Sequence, residues 1–409
     1  MQELKTKAKA KFIATRLREA RDARGIPTLT SMASLVGVDT SAVSRWEAGL
    51  SEPSADKVLE LARALNVRPS YFFRPHFQHG NAPAFLRSLA SARKRDLARQ
   101  RARLRWLQEI SQVVQHYVSL PPVDLPPHLQ AVDYRTLRDE DIEGIASDLR
   151  AHWKLGNQPI GNVIEVVERA GFVVGRDEMG TTALDGLCNW SVLDGRPYLL
   201  LAEDKMSFFR RQMDTAHEMA HALLHRHVSE AQLREDFDLI EAQAFRLASA
   251  FLMPADSFAL AARTPTLNGL LMLKDRWRVS VKAMIRRCRD LNLIVNDEAT
   301  QLYKYYSAKG WNREEPMDRS VPLFQPKLLA KALTLIVDSR TRSKADLLAS
   351  DFTVPGHDVA TLIGLDSDWF STGEVIQLAP TGARQPASTT SAGEIVEIDF
   401  AGHRRRPGN

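Results

Sequence analysis

Between Arg210 and His227 the chain reads RRQMDTAHEMAHALLHRH, and this stretch restricts the fold more than any other. Its residues suit a helix, on which His217 and His221 leave the same face one turn apart, the spacing at which two imidazole nitrogens reach one ion. Glu218 then stands beside that ion. A tetrahedral zinc held by two histidines and one further protein ligand keeps its fourth position for water, which the metal acidifies toward neutral pH. Glu218 is placed to accept the proton. Such a site obliges the fold to bring a third ligand to this helix from elsewhere in the chain.

The H-E-x-x-H pattern is that of a zinc metallopeptidase. His227 lies six residues after His221, where some metalloproteases supply their third ligand, but that geometry needs a glycine at the turn and Leu224 stands there. The composition predicts that the helix continues and carries His227 off the metal face, so His225 and His227 read as helix-end residues. Glu241, in EAQAFRLASAFLMP, is the better third ligand. On a helix it shares a face with Ala244, Phe245, Ala248 and Leu252, while Gln243 points elsewhere. A carboxylate on an apolar face needs a counter-charge, and the small residues let its helix approach the histidine helix closely. A solvated first-turn glutamate is the plain alternative. Glu230, Glu235 and Asp238 lie in a more polar, irregular run. Cys188 falls in a strand expected to flank the cleft, where a thiolate would serve as an inhibitory zinc ligand; a small core residue is the alternative.

At 409 residues the chain has room for two or three domains, and 44% hydrophobic with 26% charged residues fits a soluble globular protein. Two cysteines exclude a disulfide framework and suit a reducing compartment. The start MQELKTKAKAKF has lysines without the apolar core of a signal peptide, and no run reaches membrane-span length. A cytoplasmic protein with no membrane partner is expected. The net charge of +5 is mild, but basic residues crowd toward the front.

Taken in order, Phe12, Ile13, Leu17 and Ala20 mark an amphipathic helix that ends near Gly25 and Pro27. A short helix with Met32, Ala33, Leu35 and Val36 stops at Gly37, and another opens around Asp39 to Ser41 and runs to Glu47. This is a helix-turn-helix. Val38, Val43 and Trp46 face inward, leaving Thr40, Ser41, Ser44 and Arg45 outward, residue types that reach phosphates and base edges in a major groove. Residues 84–118 read as one long helix with eight basic residues between Arg87 and Arg105 against the single acid Asp96. It either faces a phosphate backbone or connects domains, packing through Leu89, Leu97, Leu104, Leu107 and Ile110. SLPPVDLPPH then forbids helix and favours an extended linker. Two helices near 139–153 and 160–170 precede strands at FVVG, LDGLCNW and PYLLLA, a small sheet beside the histidine helix. An edge strand there would hold substrate peptide by main-chain hydrogen bonds. Residues 255–315 are helical, and LKDRWRVSVKAMIRRCRDLNL spaces like a second helix-turn-helix, although a helical cap on the peptidase is preferred. Further helices are expected over 321–375, then a mobile tail with a strand at EIVEIDF.

Two resemblances sharpen this. GVDTSAVSRWEAGLSEPSADKVLELARAL resembles the DNA-binding domain of the lambda-repressor-like, or XRE, regulators, in its turn, its Ser-Arg-Trp-Glu-x-Gly ending and its following Pro-Ser helix start. From ALDGLCNW through the histidine helix and EAQAFRLASAFLMP, and on through LKDRWRVSVKAMIRRCRDLNLI and YYSAKGWNREEP, the chain resembles the ImmA/IrrE family of metallo-endopeptidases. Together they cover most of residues 11–316. The second resemblance implies a Zn2+ cofactor held by His217, His221 and, as a gluzincin-like third ligand, Glu241, with Glu218 as catalytic acid and base. Ala220 stands where relatives usually have glycine, and Gln243 where many have glutamate. The family implies regulatory proteolysis, the cutting of a partner transcriptional repressor that switches on stress, DNA-damage, mobile-element or defence genes.

The expected fold is α+β and mostly helical. It comprises a helix-turn-helix domain at 1–76, a basic connecting helix and Pro-rich linker at 82–128, and a zincin-like domain with helical cap at 129–315. A helical region at 316–379 and a flexible tail at 380–409 follow. The expected partners are a repressor as substrate and DNA, as a double-stranded operator or a single strand, with a homodimer as a further option. The competing reading is a DNA-binding transcriptional regulator whose peptidase-like domain senses or scaffolds without proteolysis.

Overall fold

Apolar residues recurring at helical spacing between strong breakers make the front of the chain four short helices: α1 (Ala14–Ala23), α2 (Leu29–Val36), α3 (Thr40–Glu47) and α4 (Ala55–Ala64). The structure, a computed structural model, describes residues 11–77, 79, 94–181, 184–204 and 207–371, and the described residues up to Phe370 belong to one compact unit. Thr28 caps α2 by accepting from the Ser31 amide, and Gly37 ends it in the left-handed conformation, φ 63°. Val43 and Trp46 of α3 are buried with Leu17, Met32 and Leu61, which gives the expected helix-turn-helix its core. Leu35, read as part of the apolar face, is 59% exposed.

Helix α5 (Lys94–Gln115) is the expected connecting helix; the stretch 84–93 lies outside the described residues. Its middle is a packed strut. Trp106, Leu107, Ile110 and Val114 are fully buried, and so is Gln100. The phosphate-facing reading is corrected at Arg103, whose guanidinium is buried and forks onto Asp177 at 2.8 and 3.1 Å while pairing with Asp358. Glu109 of the same helix receives Arg16 of α1 at 2.7 Å. The following proline run is extended, as expected, but fixed in place. The Asp124 amide donates to Ala170 at 3.0 Å, and Arg196 donates to the Pro121 carbonyl at 2.6 Å. Gly171 takes φ 87° there, and any side chain would drive a Cβ to 2.3 Å from the Pro122 oxygen.

Helices α6 (Asp139–His152) and α7 (Val163–Arg169) lead into three strands, β1 (Val173–Asp177), β2 (Gly186–Ser191) and β3 (Arg196–Ala202). The order is β1-β3-β2, with β1 parallel and β2 antiparallel to the central β3. Strand side chains alternate between faces, and here both faces are covered. Val174, Cys188, Trp190, Leu199 and Leu201 join one apolar core; Val173, Leu187, Tyr198, Leu200 and Ala202 join the core that includes α5 and the front helices. This explains the unbroken apolar run YLLLA.

On the first face lie α8 (Phe208–Leu224), the short α9 (Glu230–Glu235) and α10 (Phe237–Leu252). Beyond them come α11 (Ala255–Ala261), α12 (Leu267–Trp277), α13 (Val281–Asp290) and α14 (Asn296–Ala308). The α12–α13 pair packs as a cap: Val281, Ala283, Met284, Ile285, Arg287 and Cys288 are buried, leaving little of α13 to present to a groove. The chain then returns to the other face through α15 (Leu328–Asp338), the one-turn α16 (Lys344–Asp346) and α17 (Gly356–Ile363). These helices close over the front of the molecule. Arg24, just past the end of α1, forks onto Asp358 of α17 at 2.7 and 2.9 Å, and Arg74 donates to the Asp351 carbonyl at 3.0 Å. The expected strand at 394–400 lies outside the described residues. Among those residues no helix is long and apolar enough to cross a membrane.

Candidate metal centre

Helix α8 starts where the Ser207 side chain accepts from the Arg210 amide and runs between the sheet and α10 with almost every residue buried. It stops at Leu224, so the expected continuation to His227 does not occur. His227 is nonetheless exposed and outside the cluster. Ala216 and Ala220 are fully buried, and across from them Ala244 and Ala248 of α10 are too. Small residues on both helices let the axes approach closely.

That approach brings His217, His221 and Glu241 together. The two Nε2 atoms are 3.0 Å apart, His221 Nε2 is 3.1 Å from one Glu241 oxygen, and His217 Nε2 is 3.5 Å from the other. Ligand atoms about 2.0–2.1 Å from a tetrahedral zinc stand about 3.3 Å from one another, so the spacing fits three ligands of one ion. Two imidazoles and a carboxylate are also a donor set suited to zinc. His217 is 3% exposed, His221 0% and Glu241 9%, so the trio is shielded from bulk water. Burial opposes ionisation of Glu241, but hydrogen bonds from His217 and His221 outweigh it and hold the carboxyl below its ordinary range. The Phe245 ring lies 4.1 Å from the His217 ring. Of the weaker candidates, Glu230 pairs with Arg101 at 2.8 Å and Glu235 with Arg135 at 3.2 Å, outside the cluster.

Glu218, 2% exposed, leans on β2, which forms an edge of the three-stranded sheet. A Cβ at Gly186 would come within 3.0 Å of its Cγ, so the glycine makes room for it. Cys188 is two residues along the same strand. Its thiol donates to Glu218, and among the described residues the group that could share an ion is His217, His221 and Glu241, without Cys188. Burial, and then the Glu218 charge, push the thiol well above its ordinary value.

His225 and Gln243 were not singled out by spacing. Both are buried, His225 completely, with His225 Nδ1 3.1 Å from His221 Nδ1 and His225 Nε2 3.1 Å from Gln243 Oε1. Burial and the neighbouring His221 lower the His225 pKa to about 3, so it is neutral at ordinary pH. A buried polar side chain two positions after Glu241 was the available signal. At the front of the molecule Thr40, Ser41, Ser44 and Arg45 are all exposed on α3, as expected, and they belong to a separate surface.

Residues 167–289 match the model of a peptidase family described as the IrrE N-terminal-like domain, and residues 17–72 match a helix-turn-helix model. The first match contains the sheet with α8 and α10 entire, and the second contains α2 to α4 entire with α1 from Leu17 onward. No curated protein matches the chain.

Proposed function

This chain joins a helix-turn-helix module to an IrrE N-terminal-like peptidase domain, and on that premise we propose that it is a zinc metallo-endopeptidase that cuts a partner transcriptional repressor. The observation that carries the reading is the convergence of His217, His221 and Glu241 at ligand spacing with Glu218 alongside. His217, His221 and Glu241 would hold the zinc. When bound, the metal supplies an acidified water and polarises the scissile carbonyl. Glu218 would be the proton carrier, its carboxylate accepting a proton from the attacking water and giving it to the leaving amine, a transfer helped by its dry setting against β2. The edge of β2 suits an extended peptide laid alongside it. The exposed face of α3 brings the peptidase to DNA or to a DNA-bound repressor.

Zinc content together with cleavage of repressors encoded beside this chain tests the proposal. The wild type should cut one bond, and Glu218→Gln should lose about 10²–10⁴-fold in rate while keeping its metal. Equal cleavage by both proteins would defeat the chemistry. A zinc-loaded wild type that binds operator DNA but cuts no neighbouring repressor would favour a regulator with a scaffolding zinc domain.

A further inference from the structure

A run of hydrogen bonds leads from His221 away from the three converging ligand atoms and ends on the backbone. His221 Nδ1 is 3.1 Å from His225 Nδ1, His225 Nε2 is 3.1 Å from Gln243 Oε1, and Gln243 Nε2 donates to the Tyr134 carbonyl at 2.7 Å. The direction of every bond follows from that fixed end. A carbonyl only accepts, so the Gln243 amide nitrogen faces Tyr134; the reverse amide orientation would oppose two oxygens at that distance. Gln243 Oε1 therefore accepts, and His225 donates through Nε2–H. A neutral imidazole with its proton on Nε2 has a bare Nδ1, so His225 accepts from Nδ1–H of His221. That leaves Nε2 of His221, the atom that faces His217 and Glu241, to offer its lone pair to the metal the site would hold.

We propose that His225 and Gln243 are positioning residues that lock the tautomer and ring plane of His221 and thereby set the metal affinity of the site. The proposal rests on the metal-centre reading above. It assigns the relay no contact with substrate. A liganding histidine commonly donates its second N–H to an acceptor that orients it, usually a carboxylate or a backbone carbonyl. Here a second histidine and an amide carry the connection to a carbonyl on another part of the chain. Their burial leaves no solvent to do the same work: His225 is 0% and Gln243 4% exposed.

Zinc affinity, measured by competition with a chromophoric chelator on the full-length protein, separates this role from simple packing. Gln243→Leu and His225→Phe should each bind zinc about 10–100-fold more weakly than the wild type. Their metal-free thermal unfolding serves as the control for lost packing. Wild-type zinc affinity in both variants would overturn the proposal and leave the metal centre standing. A wild type that takes up no zinc would instead overturn the metal-centre reading beneath it. A second measurement needs no variant: two-bond ¹H–¹⁵N spectra of the histidine-labelled, metal-free protein should show His225 protonated on Nε2 with Nδ1 bare. The reverse tautomer of His225 would overturn the relay even if both variants failed to fold.

Discussion

Glu218 depends on a neighbour with no side chain. Its Cγ fills the space beside Gly186, so Gly186→Ala sets a methyl group against it and shifts the carboxylate away from where the water must be deprotonated. The added Cβ, 3.0 Å from Cγ, asks Glu218 to give by less than the 1 Å misplacement that costs on the order of 10²-fold in rate at a reacting group. Gly186→Ala should therefore lose less than about 10²-fold of cleavage with zinc content unchanged, and wild-type turnover would show that Glu218 needs no such room. The convergence of His217, His221 and Glu241 was legible because each signal is local: two histidines one turn apart, and a carboxylate on an apolar helical face. His225 and Gln243 were not, since their contact spans 18 residues and the turn that brings α10 back against α8.

Among the elements, α5 shows what composition leaves open. A basic helix suggests a phosphate partner until the acids are located, and for Arg103 they come from 74 and 255 residues further along. Asp358→Ala takes the shared carboxylate from Arg24, which is partly exposed, and from Arg103, which keeps Asp177, so it should lower unfolding free energy by about 1.5–3 kcal/mol. Denaturant titration checks this, and a loss under 1 kcal/mol would mean the pairs are dispensable. A second tie joins α7 to α15, where Glu168 accepts from the amides of Lys327 and Leu328 at 2.9–3.2 Å. Burial pushes this carboxyl from 4.5 up to about 7, while the two amides pull the other way. The folded protein thus holds the proton more tightly than the unfolded chain. Stability from this group is full below pH 4.5 and is lost as pH rises to about 7, by on the order of 3 kcal/mol. Glu168→Gln should lack that slope, and identical pH profiles would exclude Glu168 as its source. The helices and strands themselves were well marked by caps, breakers and period, and the α12–α13 spacing was ambiguous because a cap and a reading head share it.

At the scale of the whole molecule, the front helices spend Arg16 and Arg24 inward and keep Arg45 outward beside Thr40, Ser41 and Ser44. If α3 reads operator DNA, Arg45→Ala should weaken binding by about 1–3 kcal/mol at a stated salt concentration. Unchanged affinity in a gel-shift titration would turn attention to a protein partner for this face. Domain-sized boundaries were read from the proline run, but the return of α15 and α17 onto the first module could not be, because no local pattern announces which distant surface a helix will cover.

That return has a consequence for synthesis. Arg24 meets Asp358 across 334 residues, so the opening helices leave the ribosome long before the segment that covers them exists. At about 5–20 residues per second the interval is on the order of tens of seconds. Throughout it the surface awaiting α17 is bare, and a transcript cut short after the peptidase domain would leave it so for good.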